Sequence, residues 1–370
     1  DLLGLGMLAA LEEAIPMIRS HEGVEIDLAH LPPDDPKTYD MIRRADTAGV
    51  FQIESRAQMA SLPRNRPERF YDLVVQVAII RPGPITGNMT NPYLERRRGR
   101  EPVTYFDPCL EPILKRTLGI PLFQEQLLRI AMTAAGFSGG EAEELRRAMG
   151  FKRSRERMAA IEQRLRAGMA ARGIRGEAQE EIVRSITSFA LYGFPESHSA
   201  SFALIVYASA YLKAHHPTAF YASLLNAWPM GFYHPATLVK DGQRRGVRFL
   251  PVDVNHSGWR CRWEGGAVRI GLRYVHGLQH AAAGRIEDER ASAPFGNAAE
   301  LAQRCALPGE QLERLAHVGA LASLGLGRRE ALWQVAEVAG RRGPLFASLP
   351  PENGSPLAEM HPLDETIADY

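Results

Sequence analysis

The sequence predicts a mainly α-helical domain followed by a smaller α+β region. Three observations carry this. Apolar residues recur at three- and four-residue spacing through most of the first 226 positions, as one buried face of a helix requires. Glycine and proline fall between those stretches, where helices stop. Short β-like runs are confined to 247–275, among Gly and Trp.

Taken in order, Leu5, Leu8, Leu11 and Ile15 mark a helix over 2–18, which Pro16 should interrupt near its end. Pro-Pro-Asp-Asp-Pro at 32–36 is a turn, and Asp34 or Asp35 caps a helix around 37–47. Helices follow at 54–62 and 68–80. The second carries Leu73, Val74, Val77 and Ile80 on one face and is stopped by Arg81-Pro82-Gly83-Pro84. Segments 121–135 and 139–149 form a helical pair joined near Gly136. An amphipathic helix at 154–172 buries Met158, Ile161, Leu165 and Met169, and 177–190 repeats the pattern with Ile182, Ile186 and Phe189. Residues 200–226, apolar nearly all round, read as one central helix. β-like runs at 247–252 and 267–271 precede short helices with glycine turns to about 340. The remainder, 341–370, is Pro-rich and polar, with the composition of a flexible tail.

The 370 residues are 45% apolar and 24% charged, with a net charge of +1. That is ordinary for a globular protein, and bulk charge does not announce a nucleic-acid binder. The distribution is uneven: residues 1–60 hold 11 acidic against 5 basic side chains, and arginines cluster at 96–98 and 146–147. Cys109, Cys261 and Cys305 are far apart and odd in number, which fits a reducing cytoplasm better than a disulfide framework. No Cys/His spacing points to zinc. The longest apolar stretch, near 202–212, is too short to span a bilayer, so no membrane partner is expected. The chain starts without methionine and is expected to be a piece of a larger protein.

The richest stretch for chemistry is Tyr192-Gly193-Phe194-Pro195-Glu196-Ser197-His198-Ser199-Ala200-Ser201-Phe202-Ala203. It gathers a phenol, an imidazole and several hydroxyls ahead of an apolar helix that Ser197 can cap. His198 either meets a phosphate or makes a structural hydrogen bond. Arg146 and Arg147 point about 100° apart on a helix. They engage phosphates, whose oxygens match the guanidinium fork, or one of them pairs with Glu143 or Glu144. Lys152 and Arg153 continue the positive path. Arg81 either approaches a nucleotide or template or caps the carbonyls of the helix it ends. Gln124, Glu125 and Gln126 either read base edges or cap a helix, and Gln52, Glu54 and Ser55 share that ambiguity.

These blocks, in this order with Asp1-Leu2-Leu3-Gly4-Leu5, Gly49-Val50-Phe51-Gln52-Ile53-Glu54-Ser55 and Leu145-Arg146-Arg147-Ala148-Met149-Gly150, resemble bacterial C-family DNA polymerases, the replicative polymerase III alpha subunits. Pro195-Glu196 stands where the replicative form usually has Asn-Lys. With Pro229-Met230-Gly231-Phe232-Tyr233, the chain resembles the error-prone, damage-induced branch. The resemblance implies the end of a palm and the start of fingers at 1–20, fingers at 21–228, and an α+β helix–hairpin–helix region at 229–340 ahead of the tail.

It further implies that Asp1 is the third metal-binding carboxylate of a two-metal centre holding Mg2+. No equivalent of the family's paired Asp-x-Asp is found here, so this chain alone should not polymerise DNA. Arg146 and Arg147 are implied to contact the incoming triphosphate, with Arg81, Lys152, Tyr192, Ser197 and His198 as further nucleotide contacts. Loss of a positive charge at Glu196 is expected to weaken triphosphate binding and reduce discrimination.

Val275-His276-Gly277-Leu278-Gln279 resembles a helix–hairpin–helix turn, whose backbone N–H groups face DNA phosphates. Gln279 stands where a second glycine is usual. Val318-Gly319-Ala320-Leu321 is either a partner hairpin or a purely structural helix turn. His276, Gly277, Gln279, Gly319 and Arg153 are the DNA-contact candidates. Implied partners are primer–template DNA, deoxynucleoside triphosphates, a Y-family-like accessory protein and the sliding clamp, the last through Leu345 and Phe346 unless these pack back on the body. A non-catalytic DNA-binding scaffold is the rival reading, and a protein-interaction module is a third.

Overall fold

The computed structural model describes residues 4–80, 86–150, 155–189, 194–231, 233–340, 361 and 363–364. The chain divides into two compact units, Asp1–Leu8 with Asp27–His215, and Ala9–Ile26 with His216–Tyr370.

The first unit is helical because its helix starts carry caps and its helix faces carry aliphatics. Asp35 accepts from the Thr38 N–H at 2.8 Å and starts the helix Pro36–Arg43. Ser55 accepts from the Gln58 N–H at 3.3 Å and starts Arg56–Asn65. The helix Phe70–Ile79 is buried along nearly its whole length, and its Val74 carbonyl accepts from the Ser199 hydroxyl of Glu196–His215 at 2.5 Å. That second helix also carries the fully buried Lys213, whose ammonium donates to the Ala48 carbonyl at 2.8 Å and lies 3.4 Å from Asp46.

A second core in this unit forms between the helices Gln124–Ala135, Gly139–Gly150, Arg155–Ala171 and Gly176–Phe189. Ile130, Ala134, Leu145, Ile161, Leu165, Met169, Ile182 and Ile186 fill it, in the stripe that helical spacing predicts. Gly136 ends the first of these helices in the left-handed region, φ 72°. Gly168 lets two helices cross closely: a Cβ there would stand 2.1 Å from the Ala135 carbonyl oxygen. The side chains of Met158 and Phe189 lie outside the described residues.

The second unit holds the one sheet among the described residues. Strands β1 (Arg248–Leu250), β2 (Arg262–Glu264) and β3 (Ala267–Arg269) run in the order β1-β3-β2, with β1 parallel and β2 antiparallel to β3. Trp263 pairs with Val268 across the β2–β3 hairpin. Gly265 and Gly266, both at positive φ, make its two-residue turn. The helices His280–Ser292, Ala298–Arg304, Gly309–His317 and Arg328–Gly340 then pack around Leu272, Val275, Ile286, Leu301, Leu312, Leu315 and Leu321.

The mainly α class with a smaller α+β region is the fold observed. Two local expectations are corrected. The helix Leu5–Glu22 continues through Pro16, at the loss of one backbone hydrogen bond. The expected single helix over 200–226 is two, Glu196–His215 and Pro217–Asn226, because Pro217 lacks an N–H and takes the first helical position instead. Among the described residues no helix is long and apolar enough to cross a membrane.

Candidate functional site

Within the first unit, three sequence blocks meet at the N-terminus of the helix Glu196–His215. That end exposes backbone N–H groups with no partner inside the helix. The Glu125 carboxylate accepts from the Glu196 N–H at 2.9 Å, and the Phe194 carbonyl accepts from the Gln124 N–H at 3.1 Å. One helix start is therefore tied to another, and a negative charge sits where the helix dipole favours it. Gln126, buried, faces the other way: its Oε1 accepts from the Leu122 and Phe123 N–H groups at 2.8 and 3.1 Å. Ser197 is not the cap. The Ser199 N–H already bonds the Pro195 carbonyl at 3.2 Å, so the helix starts early enough to put Ser197 inside its first turn, where it is exposed.

His198, half-buried, packs between two phenylalanines, with ring centroids 5.1 Å from Phe194 and 4.2 Å from Phe202. Phe202 is buried and stands edge-on to Phe51 at 5.1 Å. The Phe51 N–H meets the Ser209 hydroxyl at 3.3 Å. The 49–55 block is thus joined to the His198 helix, and neighbouring Gln52 adopts φ 60°. Beside them, Glu196 accepts from the Tyr71 hydroxyl at 2.8 Å and lies 4.0 Å from Arg116, whose guanidinium sits 3.6 Å above the Tyr71 ring. Burial, and then the bond to Glu196, push the Tyr71 phenol above its usual range.

Arg146 and Arg147 share one carboxylate. Arg146 meets Glu143 through a fork at 2.8 and 2.7 Å, and the Arg147 Nε reaches the same group at 3.2 Å. The two guanidiniums, Arg146 foremost, hold the Glu143 carboxyl down at about 2. Both arginines are exposed, so one negative charge is set against two positive ones at this helix face. Ser138 and Glu141 cap the helix start reciprocally, the Glu141 carboxylate accepting from the Ser138 N–H at 2.8 Å.

In the second unit, the hairpin 275–279 closes with the Leu278 N–H donating to the Val275 carbonyl at 3.1 Å. Gly277 sits at φ 80° on the exposed tip, beside exposed His276. Arg314, from Gly309–His317, lies against this tip. Its NH1 is 3.4 Å from the His276 Nδ1, and a Cβ on Gly277 would meet its Nε at 2.6 Å. Gln279 is the cap residue of His280–Ser292, accepting through its carbonyl from the Ala282 N–H at 3.0 Å. Gly319, φ 73°, turns the chain after Gly309–His317 in open space.

Asp1, Arg81, Lys152, Arg153 and Tyr192, and Leu345 and Phe346 in the tail, lie outside the described residues. Among the described residues no three His, Cys, Asp or Glu side chains group closely enough to hold a metal ion.

Residues 7–173 match the model of the bacterial DNA polymerase III alpha subunit finger domain. That segment is a finger domain of this family. Residues 246–331 match a helix–hairpin–helix motif model. Over its whole length the chain is 51% identical to a protein of Anaeromyxobacter dehalogenans named error-prone DNA polymerase, of which it covers 35%. A protein of that name from Corynebacterium glutamicum is 52% identical over 94% of the chain and 33% of the relative. One from Methylococcus capsulatus is 47% identical over the whole chain and 38% of the relative. The chain thus spans about a third of the length of these curated relatives.

Against this family the structure adds residues that spacing does not reveal. Tyr71 and Arg116 surround Glu196, and Arg314 accompanies the first hairpin. A weak signal existed only for Arg314, an exposed cation on a helix bordering the second hairpin. Glu125 and Gln126 resolve toward the capping role: Glu125 caps the partner helix Glu196–His215, 71 positions away, and Gln126 caps the start of its own.

Proposed function

We propose that this chain is the fingers and DNA-contact segment of an error-prone DNA-directed DNA polymerase, which adds deoxynucleotides to a primer 3′ end across damaged template. The observation that carries this is the meeting of the 49–55, 124–126 and 194–202 blocks around one helix start, in a chain about half identical throughout to relatives of that name. Arg146 and Arg147 supply the charge for the triphosphate, with Arg81, Lys152, Tyr192, Ser197 and His198 completing its surroundings. Glu143 holds the two guanidiniums until phosphate oxygens replace it, and such a swap of one anion for another costs little desolvation. The hairpins at Gly277 and Gly319, with His276, Gln279 and Arg153, hold duplex phosphates without reading sequence.

Two Mg2+ ions would polarise the primer hydroxyl and stabilise the leaving pyrophosphate. The described residues do not form such a centre, and Asp1 is the single ligand assigned to this chain, so the other carboxylates belong to the rest of the protein. The whole protein would act in the cytoplasm, with primer–template DNA, an accessory polymerase-like protein and the sliding clamp as partners.

Primer extension by the full-length protein tests the assignment. Arg146→Ala with Arg147→Ala should raise the KM for triphosphate at least tenfold, with primer–template affinity unchanged, since hydrogen bonds to charged groups contribute about 1.5–3 kcal/mol each. A KM at the wild-type value would remove the arginines from the site. Loss of duplex affinity instead would favour the scaffold reading.

A further inference from the structure

In the second unit, outside both hairpin tips, a cleft of about 630 Å³ is lined by two tryptophans, two histidines and two Arg–Glu pairs. The imidazole of His21 stacks on Trp263, ring centroids 5.1 Å apart and planes within 16°. Trp259 meets His280 at 4.6 Å, and His280 is the first residue after the hairpin 275–279. Arg260 and Arg262, both exposed, lie between the two indoles in sequence. Each holds a carboxylate: Glu13 lies 3.2 Å from Arg260, and Glu287 pairs with Arg262 while accepting from the Trp259 N–H at 2.7 Å.

The chemistry of this lining is specific. Flat indole and imidazole faces attract another π surface, and guanidinium planes do the same. The cleft is of a size that takes a small planar ligand. Glu13 and Glu287 are acceptors for exocyclic amino groups or sugar hydroxyls. Four charged side chains at the rim argue against an apolar peptide. Unlike Arg146 and Arg147, which share one carboxylate, each arginine here has its own, so these pairs leave no surplus positive charge for a free phosphate as the main ligand.

We propose that this cleft binds an unpaired nucleobase of a nucleic-acid single strand, stacked on the Trp263–His21 pair. The site uses none of the residues assigned to nucleotide transfer or to the duplex hairpins, and its success or failure leaves the polymerase reading where it stands. Because stacking rather than phosphate neutralisation supplies the affinity, binding should weaken only slightly as salt rises, unlike a backbone-gripping site.

The test is tryptophan fluorescence of the 370-residue chain titrated with oligodeoxythymidylate of about eight residues, a length within the usual single-strand site size. Oligouridylate and a duplex of equal length serve as parallel arms. The expected result is quenching by the single strands, with a shallow salt dependence. Affinity should fall about tenfold in Trp263→Ala, the worth of one stacked base, and recover in part in Trp263→Phe. His21→Ala, at an exposed position, should weaken binding about threefold and keeps the test alive if Trp263→Ala does not fold. A preference for either sugar supports the site and identifies the strand it takes. Absence of single-strand binding, wild-type affinity in His21→Ala and Trp263→Phe, or quenching by duplex alone would overturn the proposal.

Discussion

Replacing Glu125 by alanine tests whether the capped junction of two helix starts holds the His198 helix in place. The substitution removes the acceptor for the Glu196 N–H and a negative charge at the end of Glu196–His215. A lost N-terminal cap costs about 1 kcal/mol, within a range of roughly 0.5–2. Loss of the charge–dipole attraction adds about 0.3–1 kcal/mol. The sum is about 1–2 kcal/mol, because Glu125 is half-buried and only partly screened. For a unit of this size that lowers the first unit's Tm by roughly 3–6 °C. Glu125→Gln keeps an acceptor and should lose about half as much. Calorimetry reads the shift, and amide exchange at 196–199 should accelerate while exchange in Gly176–Phe189 stays as it was. An unchanged Tm in Glu125→Ala, with unchanged exchange at 196–199, would refute the idea that this contact holds the helix start.

Three more outcomes follow from the same geometry. Gly168→Ala drives a Cβ to 2.1 Å from the Ala135 carbonyl, so the crossing helices must separate, and urea unfolding should show a loss of about 1–3 kcal/mol. The Glu143 carboxyl, held at about 2 against an ordinary 4.5, keeps its ion pairs at neutral pH and loses them as pH falls from about 4.5 toward 2; NMR titration should give that low midpoint, and Arg146→Ala should move it upward more than Arg147→Ala does. Glu196→Lys breaks the acceptor for Tyr71 and sets an ammonium near Arg116, so it should cost about 1–2 kcal/mol of stability, and in the full-length protein any gain in triphosphate affinity must be measured against that loss.

Most of the helices were legible because their signals are local. Asp35 before Pro36, Ser55 before Arg56 and Gly136 after Ala135 each act within a few residues, and the Ile161–Leu165–Met169 stripe carries its own period. The break at His216-Pro217 was written in the sequence too, but uniform apolarity across 200–226 outweighed the single proline. Strand β2 was missed because Arg262-Trp263-Glu264 has no apolar alternation; it pairs through its backbone to β3 and is positioned by Asn226, whose amide oxygen accepts from the Cys261 N–H at 2.7 Å. The candidate site divides the same way. Its motif residues could be picked out by type, while the Glu125–Glu196 and Tyr71–Glu196 bonds join positions 71 and 125 apart, which no spacing rule encodes. Glu143 as the shared partner of both arginines was one of two candidates in the sequence, and the i, i+3 and i, i+4 geometry selects it.

The most direct measurement is magnesium-dependent primer extension by the full-length protein, wild type against Asp1→Ala, with primer–template binding followed in parallel. Membership of a nucleotidyl-transfer centre predicts that extension disappears in Asp1→Ala while DNA affinity is retained. Equal extension by both proteins, or none by either, would contradict that role for Asp1 and leave a DNA-binding scaffold as the better description.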